Sequence, residues 1–482
     1  MLASVLLNNE FNCIGDVEIT GIAYDSRQVM PGYAFVCIKG FETDGHKFVE
    51  SAIKNGAALI VAEDEVKADV PVCYVDDTRK TLADMACIFY GNPSKDFKLV
   101  GITGTNGKTT VTYLIKSILD QAGARVGIIG TNQNIIGDKV LLTKSTTPTT
   151  PNSLELQKIF SEMKESGAEY VVMEVSSHAL DLSRVRGCQF DVGVFTNLTR
   201  DHLDFHKTMK NYMLAKAKLF EHSLTGAINT DDEYGKQIYE LHKSGAILTY
   251  GLENGCDVCA KDIKITPRGV NFTITYKETD YPMFLCIPGM FSVYNAMSAV
   301  CACINLGIDM ETITNGLKAA VGVLGRVEVV PTDTEYTVII DYAHTPDGLE
   351  NIIRAMKSFA KGKVITLFGC GGDRDNSKRA PMGEIAGNLS DFTIITSDNP
   401  RTEEPLSIIR MIEEGIKTTK GDYIVIPDRR EAIAYALDNA KADDVIILAG
   451  KGQETYQIIG KEKFDFDERV VVFSHLNKES DK

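Results

Sequence analysis

Hydrophobic positions along the chain alternate between short apolar runs and stretches with helical spacing. The runs at 98–103, 125–130, 170–174 and 192–197 predict strands. Residues 109–122, 153–166 and 209–222 carry apolar side chains three and four apart, as at Leu114, Ile115, Ile118 and Leu119, and predict helices. This alternation predicts a mostly parallel, doubly wound sheet with ligands at the carboxyl ends of its strands. Before it, runs at 20–24, 33–38, 58–62 and 72–75 with a helix near 48–55 form a smaller α/β unit, which ends in the turn-rich Gly91-Asn-Pro-Ser94. Between 257 and 288 the period falls to two and predicts antiparallel pairing, followed by a helix at 294–306. A second open α/β sheet begins near Gly325-Arg326. Its strands are expected at 337–341, 364–368, 392–396, 423–426 and 445–449, and its helices at 348–359, 382–388, 407–418 and 430–440. The pattern predicts an α/β protein of three domains: 1–97, 98–325 and 326–482.

Composition narrows the function. A length of 482 residues suits about three domains. With 44% hydrophobic and 24% charged residues, a sizeable core is available. The 51 basic and 66 acidic side chains leave a net charge of −15. That balance argues against nucleic acid or an anionic membrane surface as the main partner, so an anionic ligand needs locally gathered Lys and Arg. No apolar run approaches the roughly 18 residues of a membrane span. The N-terminus has no basic region and carries Glu10, unlike a signal peptide. The eleven cysteines lack metal-ligand spacing and read as reduced thiols in a cytoplasmic protein.

Gly101-Ile-Thr-Gly-Thr-Asn-Gly-Lys-Thr-Thr110 follows a strand and opens a helix. Strand, glycine-rich turn and helix N-terminus cradle phosphates, with Lys108 as a point charge and Thr109 as a Mg²⁺ ligand. The first position of the general phosphate-loop pattern is Ile102 rather than Gly. The loop is therefore a variant ATP site.

Other strand ends also carry polar residues. Glu174 ends one strand and is suited to a second Mg²⁺ contact. The following strand delivers Asn197, Asp201 and His202. Lys216 and Lys218, two apart on a helix, face different sides and by themselves read as solvated. Asp25-Ser26-Arg27 by itself reads as a turn with an exposed Arg. The loop Thr143-Lys-Ser-Thr-Thr-Pro-Thr-Thr-Pro151, with Ser176 and Arg184, offers hydroxyls and a cation to a sugar diphosphate or carboxylate. In the last unit, Asp341-Tyr-Ala-His344, Gly369-Cys-Gly-Gly-Asp-Arg374, Asp398-Asn-Pro-Arg401 and Gly450-Lys-Gly-Gln-Glu454 all follow strands.

Gly104-Thr-Asn-Gly-Lys-Thr109, Glu174-Val-Ser-Ser-His178, Asn197-Leu-Thr-Arg-Asp-His202, Asp341-Tyr-Ala-His344 and Asp398-Asn-Pro-Arg401, in this order, resemble the Mur ligases over nearly the whole chain. The resemblance implies a small N-terminal substrate domain, a central ATPase domain and a Rossmann-like C-terminal domain. It implies a cytoplasmic, monomeric, ADP-forming ligase of peptidoglycan synthesis that adds a diamino acid to UDP-MurNAc-L-Ala-D-Glu through an acyl phosphate. ATP would be held by Gly104, Thr105, Asn106, Gly107, Lys108, Thr109, Thr110, Asn295, Arg326 and Asp341. Lys108, Glu174, His202 and Lys216 would be catalytic. Thr109, Glu174, His202 and Lys216 would hold Mg²⁺, Lys216 as a carbamate formed with CO₂. Ser26, Thr146, Thr147, Ser176 and Arg184 would contact UDP-MurNAc-dipeptide. Arg374, Asp398, Asn399, Pro400, Arg401, Gly450 and Glu454 would contact the incoming amine. Arg401 suits the distal carboxylate that separates meso-diaminopimelate from L-lysine. An L-lysine-adding ligase, a folylpolyglutamate-synthetase-like ligase and a nucleotide-gated binding protein remain as alternatives.

Overall fold

The computed structural model describes residues 1–482 except 8–16, 41–42, 132, 138, 142, 144–145, 148, 253–254, 267, 321–322 and 481–482. Glu10, Cys13 and the loop residues Lys144, Ser145 and Pro148 therefore lie outside the described residues. The chain forms two compact units, residues 1–258 with 298–313 and residues 259–297 with 314–482.

In the first unit, β1 (Gly21–Ala23), β2 (Tyr33–Val36), β3 (Ala57–Ala62) and β4 (Val72–Tyr74) pair in parallel in that order. Ala34, Val36, Leu59 and Val61 are fully buried on one face, against Leu82 and Met85. Those two residues belong to the helix Thr78–Phe89, which the hydrophobic pattern did not single out. The helix starts at Asp77, whose carboxylate accepts from the amides of Arg79 and Lys80.

The larger sheet of this unit contains β5 (Lys98–Thr103), β6 (Val126–Ile129), β7 (Ile135–Ile136), β8 (Lys139–Val140), β9 (Tyr170–Glu174), β10 (Phe190–Phe195), β11 (Ser223–Asn229) and β12 (Ala246–Gly251). They run in the order β12-β11-β10-β5-β9-β6-β7-β8. Pairing is parallel from β12 to β6 and antiparallel at β7 and β8. β5 lies between β10 and β9, and its Leu99, Val100 and Ile102 are fully buried, as expected for a strand covered on both faces. Strands β11 and β12 and the helix Glu233–His242 were not expected from the sequence.

In the second unit β13 (Val258–Thr266), β14 (Gly269–Tyr276) and β15 (Thr279–Leu285) are neighbours, and β14 and β15 pair antiparallel, as the period of two predicts. β16 (Glu328–Val330), β17 (Thr337–Asp341), β18 (Val364–Phe368), β19 (Phe392–Ile395), β20 (Tyr423–Val425) and β21 (Val445–Ala449) form a sheet in the order β16-β17-β21-β18-β19-β20. Only β16 is antiparallel to its neighbour. Alternate residues of β21 serve two cores. Val445, Ile447 and Ala449 pack with Leu349, Ile353 and Ile412, while Ile446 and Leu448 pack with Ile433 and Leu437. The chain ends with the hairpin β22 (Tyr456–Ile459) and β23 (Glu462–Asp465), then a helix, Glu468–Ser480. β23 is exposed throughout, so no hydrophobic period announces it.

Among the described residues eight cysteines are outside any disulfide, and seven of these are buried. Burial raises the thiol pKa of Cys87 to about 11 and that of Cys370 to about 12. Cys256 and Cys259 depart from the reading of all cysteines as reduced. Each of the two is disulfide-bonded. Among the described residues no helix is long and apolar enough to cross a membrane.

Candidate active site

The phosphate loop lies at the carboxyl end of β5 and leads into the helix Lys108–Gln121. Gly104 is required by close approach, because a Cβ there would stand 1.9 Å from Thr196 Oγ1. Its carbonyl oxygen accepts from Lys108 Nζ at 2.9 Å and from Lys216 Nζ at 2.9 Å. Lys108 Nζ also donates to Thr105 O at 2.8 Å. Asn197 clamps the loop: its Oδ1 accepts from the Asn106 amide at 3.0 Å, and its Nδ2 donates to Asn106 O at 3.2 Å.

Thr109 donates through Oγ1 to Glu174 Oε1 at 2.9 Å. Glu174 is 1% exposed and also accepts from the Thr131 amide and hydroxyl, each at 3.0 Å. A carboxylate and a hydroxyl in contact at the end of a parallel sheet form an oxygen donor set that fits a hard cation such as Mg²⁺.

Lys216 is buried, whereas Lys218 is partly exposed and paired with Asp181. The reading of both lysines as solvated therefore fails for Lys216 and holds for Lys218. Burial, and then the nearby charge of Lys108, hold the Lys216 amine well below the usual lysine range. Its Nζ lies 4.6 Å from the Tyr212 ring centroid, and Tyr212 OH is 3.3 Å from Thr105 Oγ1. His202 is half-exposed, with a positive φ of 51°. Its ring packs edge-on to His178 at 4.9 Å and to Tyr212 at 6.0 Å. Tyr212 thus connects the surroundings of Lys216, His202 and the phosphate loop. Sequence reading missed it, since a buried aromatic on an amphipathic helix reads as core.

A cleft of about 390 Å³ lies beside Glu174 and is lined by Thr131, Gln133, Asn134, Thr146, Thr147 and Thr149 among others. Thr146 Oγ1 donates to Glu155 Oε1 at 2.9 Å and lies 2.9 Å from Tyr24 OH. Tyr24 also bonds Glu155 and accepts from Asn152 Nδ2 at 3.1 Å. Burial, and then Glu155, push the Tyr24 hydroxyl up to about 12. Tyr24 was not singled out from the sequence, which offers only its place two residues before Ser26. Ser26 is buried beneath the turn that Asp25 caps, and Arg27 is exposed and paired with Asp25 at 2.7 Å. Thr147 Oγ1 donates to Thr150 O at 2.8 Å. Ser176 caps the helix Ser177–Asp181 and accepts from Thr150 Oγ1 at 3.3 Å. Arg184 Nη1 donates to Thr150 O at 3.1 Å, and its buried Nε has no hydrogen-bond partner among the described residues.

The remaining expected residues lie in the second unit. Asp341, at the end of β17, accepts from the amides of Val327 and Ala343 at 2.8 Å each. Burial raises its carboxyl pKa. Arg326 stacks over Tyr342, 5.1 Å from its ring centroid, and Asn295 is buried on the helix Met290–Asn305. Arg401 has a φ of 50° and donates from Nη1 to Gly372 O at 2.8 Å. Arg374 is exposed and donates to Asp373 O, and both Arg374 and Arg401 reach Gly371. Asn399 Nδ2 donates to Glu454 Oε2 at 2.8 Å. A Cβ on Gly450 would meet Asp398 Oδ2 at 3.1 Å. Pro400 continues the loop, and its carbonyl oxygen abuts Gly372.

Asp44, His46 and Asp64 are close enough to suggest a metal centre. However, His46 Nε2 already accepts from the Glu63 and Asp64 amides at 3.0 and 3.2 Å, and its Nδ1 faces Asp44 at 2.7 Å. That histidine buttresses a loop.

Three family models cover most of the chain: the Mur ligase family catalytic domain at 18–90, the Mur ligase middle domain at 102–303, and the Mur ligase glutamate ligase domain at 325–452. A UDP-N-acetylmuramoyl-L-alanyl-D-glutamate--2,6-diaminopimelate ligase of Caldanaerobacter subterraneus subsp. tengcongensis is 52% identical over 460 residues, covering 95% of this chain and 94% of the relative. One from Clostridium acetobutylicum is 49% identical over 468 residues, covering 96% of each. A solved structure of such a ligase matches with a TM-score of 0.74 at 32% identity, covering 96% of this chain and 95% of the other. The phosphate loop, the polar strand ends and similarity along almost the full length agree: this chain belongs to the Mur ligase family.

Proposed function

We propose that the protein is a cytoplasmic, monomeric ligase that adds meso-diaminopimelate to the D-Glu carboxylate of UDP-MurNAc-L-Ala-D-Glu, with ATP converted to ADP and phosphate. The observation that carries this reading is the convergence of Lys108 and Lys216 on the Gly104 carbonyl beside the Thr109–Glu174 pair. In this reading residues 1–97 and the threonine-lined cleft receive the UDP-linked dipeptide. Residues 98–325 bind ATP, aided by Asn295, Arg326 and Asp341, and residues 326–482 bind the amino acid. The cytoplasmic setting follows from the two nucleotide substrates.

The chemistry follows from the residues. Lys108 and the loop amides would hold the ATP phosphates. Thr109 and Glu174, with His202 and a carbamate on Lys216, would hold Mg²⁺, which offsets phosphate charge when bound. Lys216 suits carbamate formation because an uncharged amine is the form that attacks CO₂, and the site disfavours its charged form. The substrate carboxylate attacks the γ-phosphorus and ADP leaves, giving an acyl phosphate. The diaminopimelate amine then attacks the acyl carbon and phosphate departs, so a poor leaving group has been replaced by a good one. Arg184, whose Nε is buried without a partner among the described residues, is suited to the dipeptide's carboxylate. Arg401 would pair the distal carboxylate of diaminopimelate, and Glu454 its ammonium.

The test is ADP release from purified protein with ATP, Mg²⁺ and UDP-MurNAc-L-Ala-D-Glu, with meso-diaminopimelate and L-lysine supplied in parallel. Turnover with diaminopimelate is expected. Turnover with lysine alone would overturn the substrate assignment, and ADP release independent of the dipeptide would overturn the ligase reading.

A further inference from the structure

Lys451 is the middle of Gly450-Lys-Gly452, just beyond β21, and it is completely buried. An ammonium taken out of water needs charged or strongly polar partners around it. Lys451 Nζ has four. It lies 3.4 Å from Asp398 Oδ1, 3.2 Å from Asn399 Oδ1, 3.4 Å from Glu454 Oε2 and 2.7 Å from Tyr456 O. Asp398 and Asn399 come from the loop after β19, Glu454 from the loop after β21, and Tyr456 from the first strand of the hairpin. One cation therefore joins the loop after β19 to its own stretch beyond β21, 53 residues from Asp398 in the chain.

The contacts on Glu454 have a direction. Both Lys451 Nζ and Asn399 Nδ2 address the same carboxylate oxygen, Oε2. Asn399 is fixed in turn, since its Oδ1 accepts from Lys451 and from the Ile458 amide at 2.9 Å. The hairpin also holds Arg401, whose amide donates to Ile458 O at 3.1 Å and whose carbonyl accepts from the Gly460 amide at 2.7 Å. Gln457 Nε2 donates to Asp398 O at 2.6 Å. Lys451 thus sits beneath the groups assigned above to the amino acid.

We propose that Lys451 is a positioning residue for the amino-acid substrate: it locks Asn399 and Glu454 together and turns the second carboxylate oxygen of Glu454, Oε1, toward the substrate ammonium. This rests on the reading that the Asp398–Arg401 loop and Glu454 receive diaminopimelate. Without the cation, the carboxylates of Asp398 and Glu454 lose the positive charge they share, and Glu454 loses its fixed orientation. Binding of the amino acid suffers, while the phosphate loop, which belongs to the other unit, keeps its own contacts.

Steady-state kinetics of Lys451→Met separate this role from a purely structural one. The KM for diaminopimelate is expected to rise about tenfold or more, with kcat at saturation and the KM values for ATP and the dipeptide within about threefold of the parent. In a double-mutant cycle with Glu454→Gln, the two effects on the KM for diaminopimelate are expected to fall short of additive by about fivefold or more. An unchanged KM for diaminopimelate, additive effects, or a parallel loss in all parameters overturns the proposal. If Lys451→Met does not fold, Lys451→Arg keeps the charge but cannot make the same four contacts with its planar fork. The same selective rise is expected there, and its absence is equally decisive. Arg401→Ala run alongside distinguishes the two levels. If it leaves the KM for diaminopimelate unchanged, the site assignment itself fails. If it raises that KM while the Lys451 variants do not, only the role of Lys451 fails.

Discussion

Lys108 and Lys216 both donate to the carbonyl oxygen of Gly104, one from the first turn of the helix that follows the phosphate loop and the other from the helix Met209–Glu221. Two ammonium groups on one oxygen repel each other, and Lys216, the buried member, has its charged form disfavoured. In the proposed reading, this disfavoured charge is what suits Lys216 to react with CO₂.

Lys216→Met is expected to lower kcat by about a hundredfold or more while leaving the fold intact. With ¹³C-labelled bicarbonate, the parent is expected to give a carbamate carbon resonance that this variant lacks. A resonance that persists in the variant would refute the assignment to Lys216.

Arg401→Ala is expected to raise the KM for diaminopimelate on the order of 10- to 100-fold, the worth of a charge-assisted pair, and to leave the KM for ATP unchanged. Equal damage to both would remove Arg401 from its assigned role.

Tyr24→Phe deletes one hydroxyl that meets Thr146, Asn152 and Glu155. The KM for the UDP-linked dipeptide is expected to rise about fivefold, with that for diaminopimelate unaltered. Because the Tyr24 pKa lies at about 12, the hydroxyl keeps its proton through the physiological range. The size of this effect should therefore not vary between about pH 7 and pH 9.

Arg379, nearly fully buried, makes a two-pronged pair with Glu403, Nη1 to Oε2 at 2.8 Å and Nη2 to Oε1 at 2.9 Å. The arginine holds the Glu403 carboxyl below its ordinary 4.5. Since the folded value is the lower one, the pair stabilises the fold above pH 4.5, and that contribution fades as pH falls through the folded value. Glu403→Gln is expected to cost about 2 kcal/mol near neutrality. In urea unfolding the difference should shrink as the pH is lowered below 4.5.

Gly415 lets the helices Arg379–Leu389 and Pro405–Ile416 cross closely, because a Cβ there would stand 1.8 Å from Ala380 O. Gly415→Ala is expected to destabilise the second unit by about 3 kcal/mol, read as a lower urea midpoint.

Much of this molecule is written locally. Apolar runs such as Val445–Ala449 are strands because only a sheet covered on both faces buries every side chain in such a run. The phosphate loop, Glu174 and the Asp398–Arg401 loop were legible because each joins a buried strand to a polar end within a few residues. Elements with no such contrast were not legible, among them the exposed β23 of the terminal hairpin. Lys216 marks the limit. From its spacing it was one of two equivalent lysines on a helix, set apart only by the family resemblance, and the packing of that helix against the phosphate loop is what buried it and left the other partly exposed. Tyr24 and Lys451 were likewise set by distant partners, Thr146 and Glu155 for one, Asp398 and Asn399 for the other. The sequence by itself determined the α/β order and the phosphate loop, because these depend on neighbours in the chain. Tertiary structure alone decided which polar groups are buried together, because burial and charge act through space.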